Sequence, residues 1–268
     1  MSTKKNEVAT VDETANLPAI LSDIAMDAAS NSGFENVKAE DVSIPFVKIL
    51  QAMSPQVKGS TKIPGAADGD FFNTVTEKIY KGSIKIIPCA FQKAYVEWVA
   101  REQGGGFVKQ HFDSAILEKT KKDDKNRDIL ANGHTIVTTA YHYCILVCED
   151  GSLERVVLSL TSTQLKKSRR WVSQMMSLQI TSGTTRFTPP MYSHIYDVTT
   201  REESNEHGAW YGFIFGTPTM ISDKNIYLYA KKFHDDISGG LVKAAEPIDP
   251  DDGVTVPPAA NEVVHDKF

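Results

Sequence analysis

Residues 83–101 read SIKIIPCAFQKAYVEWVAR, where β-branched and aromatic residues dominate and polar ones interrupt at short intervals. The pattern predicts one long, bent strand, with Pro88 at an edge or a bulge because proline has no N–H to give a ladder. Residues 135–149 (TIVTTAYHYCILVCE), an Asp150-Gly151 turn and residues 153–161 (LERVVLSLT) predict a hairpin. In its first strand His142, Cys144, Leu146 and Cys148 share one face, while Tyr141, Tyr143, Ile145 and Val147 share the other. The period then changes. After a capping sequence Ser162-Thr163-Gln164, Leu165, Val172, Met175, Met176 and Gln179 recur at helical spacing as far as Ile180. Residues 192–200 (YSHIYDVTT) and 209–216 (AWYGFIFG) predict two more strands joined by the polar stretch REESNEHG, and residues 222–236 a closing helix.

Upstream, the first 40 residues are rich in Ala, Ser, Asn and acids, with one amphipathic helix over 17–28. Pro45 and Pro55 bracket a short apolar segment, helical or extended, and residues 71–76 (FFNTVT) predict a short strand before a turn at Lys81-Gly82. Gly104-Gly105-Gly106 ends the long strand. It lacks the lysine and hydroxyl of a nucleotide-binding loop and is expected to be a hinge, with a charged loop following to Gly133. The element order gives a mainly β fold with α: an OB-fold-like five-stranded Greek-key barrel, a helix between its third and fourth strands, and a C-terminal helix. A β-sandwich with an inserted helix is the alternative. The expected organisation is a flexible arm over 1–40, a nucleic-acid-binding domain over 41–243 and a disordered acidic tail over 244–268.

Charge sharpens that division. The tail carries six carboxylates against Lys267, a net of −5, which equals the formal charge of the whole chain. Residues 1–35 carry −4 and residues 36–243 carry +4, of which the stretch 155–201 alone contributes seven cations against Asp197. A basic body between acidic ends suits a polyanionic partner despite a pI near 5.8. No run of about 20 apolar residues and no apolar signal core is present, so neither membrane nor secretion is expected. Three cysteines, Cys89, Cys144 and Cys148, have no disulfide spacing and fit the reducing cytoplasm.

Two constellations carry chemistry. In the long strand Phe91, Lys93, Tyr95 and Arg101 fall on one face by parity, followed by Phe107 and Lys109 beyond the glycines. Flat rings for bases and cations for phosphates are what a single strand of nucleic acid needs, although any one ring can equally be core. At the helix start, Lys166, Lys167, Arg169, Arg170 and Trp171 crowd like charges into little over one turn, a repulsion that a polyanion would relieve. The alternative there is a solvated helix face. His142, Cys144 and Cys148 could be read as zinc ligands, but no second cysteine pair exists and one strand face explains them; no metal or other cofactor is expected. Asp68 and Asp70 read as a turn, and no hydrolase, zinc-protease or Walker motif is present, so no enzymatic activity is expected.

The segments SIPFVKILQAMSPQV, GDFFNTVT, KAYVEW with REQGGGF, LTSTQLKKSRRW and PPMYSHIYDVTT resemble a family of tailed-phage single-stranded DNA-binding proteins. The tail, ending Asp266-Lys267-Phe268, resembles the acidic, aromatic-tipped tails of replicative single-strand binders, with Lys267 as a departure. The resemblance implies an OB-fold that coats single-stranded DNA in replication and recombination. It also implies a tail, with Asp251, Asp252, Asp266 and Phe268, that recruits a polymerase, helicase or nuclease and competes for the groove. A homodimer is compatible with it. A phage structural or assembly protein, or a transcription cofactor binding host RNA polymerase, is the alternative reading.

Overall fold

The computed structural model describes residues 17–29, 33–37, 43–59, 61–205, 208–240 and 243–244. The chain divides into two units, Met1–Val42 and Ser43–Phe268. In the first, α1 (Leu17–Ala29) exposes Ile20, Leu21 and Ile24. The tail positions Asp251, Asp252, Asp266 and Phe268 lie outside the described residues.

The second unit opens with β1 (Ser43–Ile44), β2 (Val47–Ile49), α2 (Pro55–Lys58), β3 (Phe71–Asn73) and β4 (Ile79–Tyr80); β2, β3 and β4 form a small antiparallel sheet. Pro45 and Pro55 thus bracket an extended segment, and the predicted strand over 71–76 stops at Asn73, whose side-chain Oδ1 accepts from the Val75 and Thr76 amides to form a turn.

The long strand is β5 (Ser83–Trp98), and the stretch after it is not a bare loop. It contains β6 (Phe107–His111), β7 (Thr120–Lys122) and β8 (Asp128–Leu130). Then come β9 (Thr135–Val147), β10 (Leu153–Thr161), α3 (Gln164–Ser177), a small hairpin of β11 (Ile180–Ser182) and β12 (Thr185–Phe187), β13 (His194–Asn205), β14 (Gly208–Met220), α4 (Lys224–Ser238) and β15 (Lys243–Ala244), which pairs β1 in parallel. The polar stretch REESNEHG is likewise strand: β13 runs to Asn205 and β14 starts at Gly208. Gly104, Gly105 and Gly106 all take positive φ, at 104°, 66° and 117°, in a tight reversal joining β5 to β6 where a Cβ would be strained.

The main sheet is a strongly curled, antiparallel half-barrel ordered β14-β13-β5-β9-β8-β7, with β10 also on β9 and β6 also on β5. The five long strands therefore run β14-β13-β5-β9-β10. Between Pro88 and Ala90 the β5–β9 register slips by one residue. Pro88 lacks the N–H that a regular ladder needs, so the bulge falls there. The slip changes which parity of β5 faces which side. Ile84 and Ile86 join the cluster of Ala140, Cys144, Leu146, Leu158 and Leu160 under α3; Ala94, Val96 and Trp98 join Tyr141, Tyr143 and Ile145 under α4. His234 of α4 places its Nδ1 2.8 Å from the carbonyl oxygen of the bulged Cys89.

No pairing joins β10 to β14, and the seam is filled from elsewhere. Phe46 bridges Val157 of β10, whose amide donates to the Pro45 carbonyl at 2.9 Å. On β14, the Gln51 amide donates to the Tyr211 carbonyl at 3.0 Å and accepts from the Tyr211 N–H at 2.8 Å; Gln164 accepts from the Phe213 N–H at 3.1 Å. These glutamine side chains occupy backbone groups that an edge strand otherwise leaves open to pairing.

Candidate nucleic-acid interface

Beyond the bulge, Phe91, Lys93, Tyr95 and Glu97 continue the face on which α3 packs. Phe91 stands in register with His142, at 5.1 Å between rings, and His142 lies 4.8 Å from Trp171. Trp171 then stacks on Phe215 at 3.9 Å, and Phe215 on Phe213 at 5.9 Å, so an aromatic ladder leads inward from Phe91. Phe91 keeps 42% of its surface exposed; Trp171 keeps 1%. The expected role of Trp171 as a ring for bases is therefore corrected. It is on the apolar stripe of α3 with Ser168 and Met175, and fills the core.

Two more rings need the same correction. Tyr95 has the expected parity but is buried, with the Lys93 ammonium 5.3 Å from its ring centroid. Phe107 pairs with Trp98 and meets it edge-on at 5.9 Å, on the α4 side, because the β5–β6 register shifts between Glu97 and Trp98. Lys167 is held by Glu203 at 2.6 Å. The Arg101 side chain lies outside the described residues. What the fold does bring to one face is Phe91, Lys93 and Lys109 from the sheet, with Lys166, Arg169 and Arg170 exposed on α3. Among the described residues no carboxylate pairs with those three helix cations. Cations near a helix N-terminus oppose its dipole, and Thr163 at the N-cap makes no side-chain cap bond.

Beside the start of α3 lies a groove of about 1100 Å³. Its walls are the end of β5, the β7–β8 hairpin with Lys122, Lys125 and Arg127, the first residues of β9 with Ile136 and Thr138, and α3 with Leu165 and Arg169. Two of its cations are spoken for: Lys122 pairs Asp128 at 2.8 Å, and Arg127 pairs Asp123 at 2.7 Å. Backbone hydrogen bonding by Arg127 first, with the Arg127 charge adding, holds the Asp123 carboxyl below its ordinary value.

Residues that sequence reasoning missed adjoin this groove. Glu97 is buried, with Oε2 2.7 Å from His111 Nε2 and Oε1 2.7 Å from His134 Nδ1. Burial alone would raise its pKa, but the bonds from His134 and His111 and the charge of Lys109 outweigh burial and lower it. No local pattern could have found the trio, whose members lie 14 and 37 residues apart.

His142 and Cys144 lie together on the α3 face, as the alternation predicts, deep in the core. Burial pushes the His142 pKa down to about 3 and the Cys144 thiol well up; His142 Nε2 meets Ser168 Oγ at 2.8 Å. Among the described residues, no three of His, Cys, Asp and Glu converge as metal ligands. Among the described residues, no helix is long and apolar enough to cross a membrane.

Fold and groove together define a mainly β protein whose curled antiparallel sheet is packed by one helix on each face. A sequence model of the Pam3 phage gp34-like protein family matches residues 11–243, and the chain belongs to that family of phage proteins. No curated protein and no solved structure matches the chain.

Proposed function

We propose that the protein binds single-stranded DNA without sequence preference, on the sheet face beside the start of α3. The carrying observation is the set of three exposed α3 cations, Lys166, Arg169 and Arg170, which pair with no carboxylate among the described residues; Arg169 lines the groove, and Phe91 is exposed on the sheet face that α3 covers. Phosphate neutralisation by such cations is blind to sequence, and an exposed ring accepts any base. The strand order β14-β13-β5-β9-β10, with α3 between the third and fourth long strands, supports reading the half-barrel as an OB-type Greek key left open between its third and fifth strands. In this reading the N-terminal segment and the glutamines of the seam stand in for the missing closure. The acidic tail, residues 244–268, recruits replication proteins and competes for the groove.

Titration of labelled oligo-dT at several salt concentrations tests the proposal. The expected result is binding whose log affinity falls linearly with log salt, and weaker binding to duplex DNA. Absent or salt-independent binding overturns it.

A further inference from the structure

The register of the sheet ties the Glu97 trio to the groove. Lys109, Glu97, Ile136, Asp128 and Lys122 stand opposite one another across β6, β5, β9, β8 and β7, so they share one row on one face. Ile136, Asp128 and Lys122 line the groove, as do Gly133 and Thr135 on either side of His134. The charged groups facing the trio are thus Lys109 from β6, and Asp128 with its partner Lys122 from the β7–β8 hairpin.

An ionised carboxylate can only accept hydrogen bonds. Glu97 therefore fixes the proton of each neutral ring on the nitrogen that faces it, His111 Nε2 and His134 Nδ1. The second nitrogen of each ring, His111 Nδ1 and His134 Nε2, is then a lone-pair acceptor, which repels phosphate oxygen. Adding a proton converts that nitrogen into an N–H donor and gives the ring a charge, while Glu97 keeps its hold on the other side. Since Lys109 already offsets Glu97, two added protons make the cluster +2 beside the groove.

We propose that Glu97 presents His111 and His134 as proton-dependent phosphate contacts beside this groove, a site that rests on the DNA-binding reading above. DNA bound there takes up protons, and binding strengthens as pH falls.

The test is oligo-dT affinity against salt at about pH 8 and about pH 5.5, for the intact chain and for the His111→Gln, His134→Gln double variant. Glutamine keeps a neutral N–H for Glu97 and removes only the proton uptake. The intact chain is expected to bind more tightly at the lower pH, with a salt slope steeper by about 1.4, since each single-strand phosphate contact contributes about 0.7. The double variant loses that gain while retaining its melting temperature, and His134→Gln alone loses about half of it. An identical pH response in the double variant overturns the site and leaves the DNA-binding reading standing. Absent oligo-dT binding at both pH values overturns both.

Discussion

The helices α3 and α4 pack on opposite faces of one sheet, and they differ in how their polar groups are satisfied. Asp223 caps α4 by accepting from the Asn225 and Ile226 amides at 2.7 and 3.3 Å. Its two later lysines have partners: Lys231 pairs Asp235 at 2.7 Å, Lys232 pairs Asp236 at 3.1 Å, and Asp236 also holds Arg155 of β10. By contrast α3 has an N-cap without a side-chain bond, and Lys166, Arg169 and Arg170 have no carboxylate among the described residues. Since i,i+4 ion pairs and a cap each add only tenths to about 1 kcal/mol, neither helix depends on them to fold. Both are held by their apolar stripes. The difference teaches that α4 carries its own cap and pairs its later lysines, while the first turns of α3 hold three exposed cations and no side-chain cap.

The largest expected effect tests the half of the comparison in which the helices are alike. Trp171→Ala on α3 and Phe233→Ala on α4 each empty a fully buried site, and each should cost about 3–5 kcal/mol in urea denaturation. Loss of DNA binding by Trp171→Ala with full stability would instead make that ring a ligand contact and break the comparison.

Acid should then separate the two faces. His142 beneath α3 has its pKa pushed down to about 3 by burial, below the value near 6.5 of an unfolded chain. Between those values the unfolded state binds the extra proton, so stability is full above about pH 6.5 and falls as pH drops, by up to about 1.4 kcal/mol per unit. Thermal melts of His142→Phe should lose less stability over that span than the unaltered chain. An identical acid response would show that another group carries it.

Next in size is the contrast in charge. Lys166→Ala with Arg170→Ala should weaken oligo-dT binding about tenfold and reduce the salt slope by about 1.4, with stability changed by less than about 0.5 kcal/mol. Lys231→Ala with Lys232→Ala removes the same charge from α4 and should leave affinity within about twofold. Equal losses from the two pairs would mean that net charge alone, and not the groove, attracts the DNA.

Much of this contrast was legible in the sequence. Alternation through 141–148 assigned both faces of β9, and Pro88 marked the bulge because a missing N–H has a fixed consequence for a ladder. The three-residue strands β7 and β8 were not legible, since so short a run has no period. Nor was the extension of β13 and β14 through REESNEHG, where Arg201, Glu202 and Ser204 are polar because the hairpin projects beyond its last pairing with β5 at Ser83. Trp171 was misassigned because its basic neighbours drew attention from its spacing: Ser168, Trp171 and Met175 share one stripe, and the cations surround it. Tyr95 shows the limit of parity, which gives a side but not what covers it.

The smallest effect isolates the caps. Asp223→Ala removes an acceptor from two first-turn amides of α4 and should cost about 1 kcal/mol, read as a shift in the denaturation midpoint. Thr163→Ala removes no bond, so its cost should stay within about 0.5 kcal/mol. The sharper measurement is Thr163→Asp, which adds a carboxylate where the first amides of α3 are uncapped. It should stabilise the free protein by up to about 1 kcal/mol, because an anion there agrees with the helix dipole. The same change should weaken oligo-dT binding, since that carboxylate would line the groove and repel phosphate. Opposite signs for stability and affinity are what an N-terminus kept open for an anion requires. A gain in both would mean that the missing cap at α3 has nothing to do with DNA.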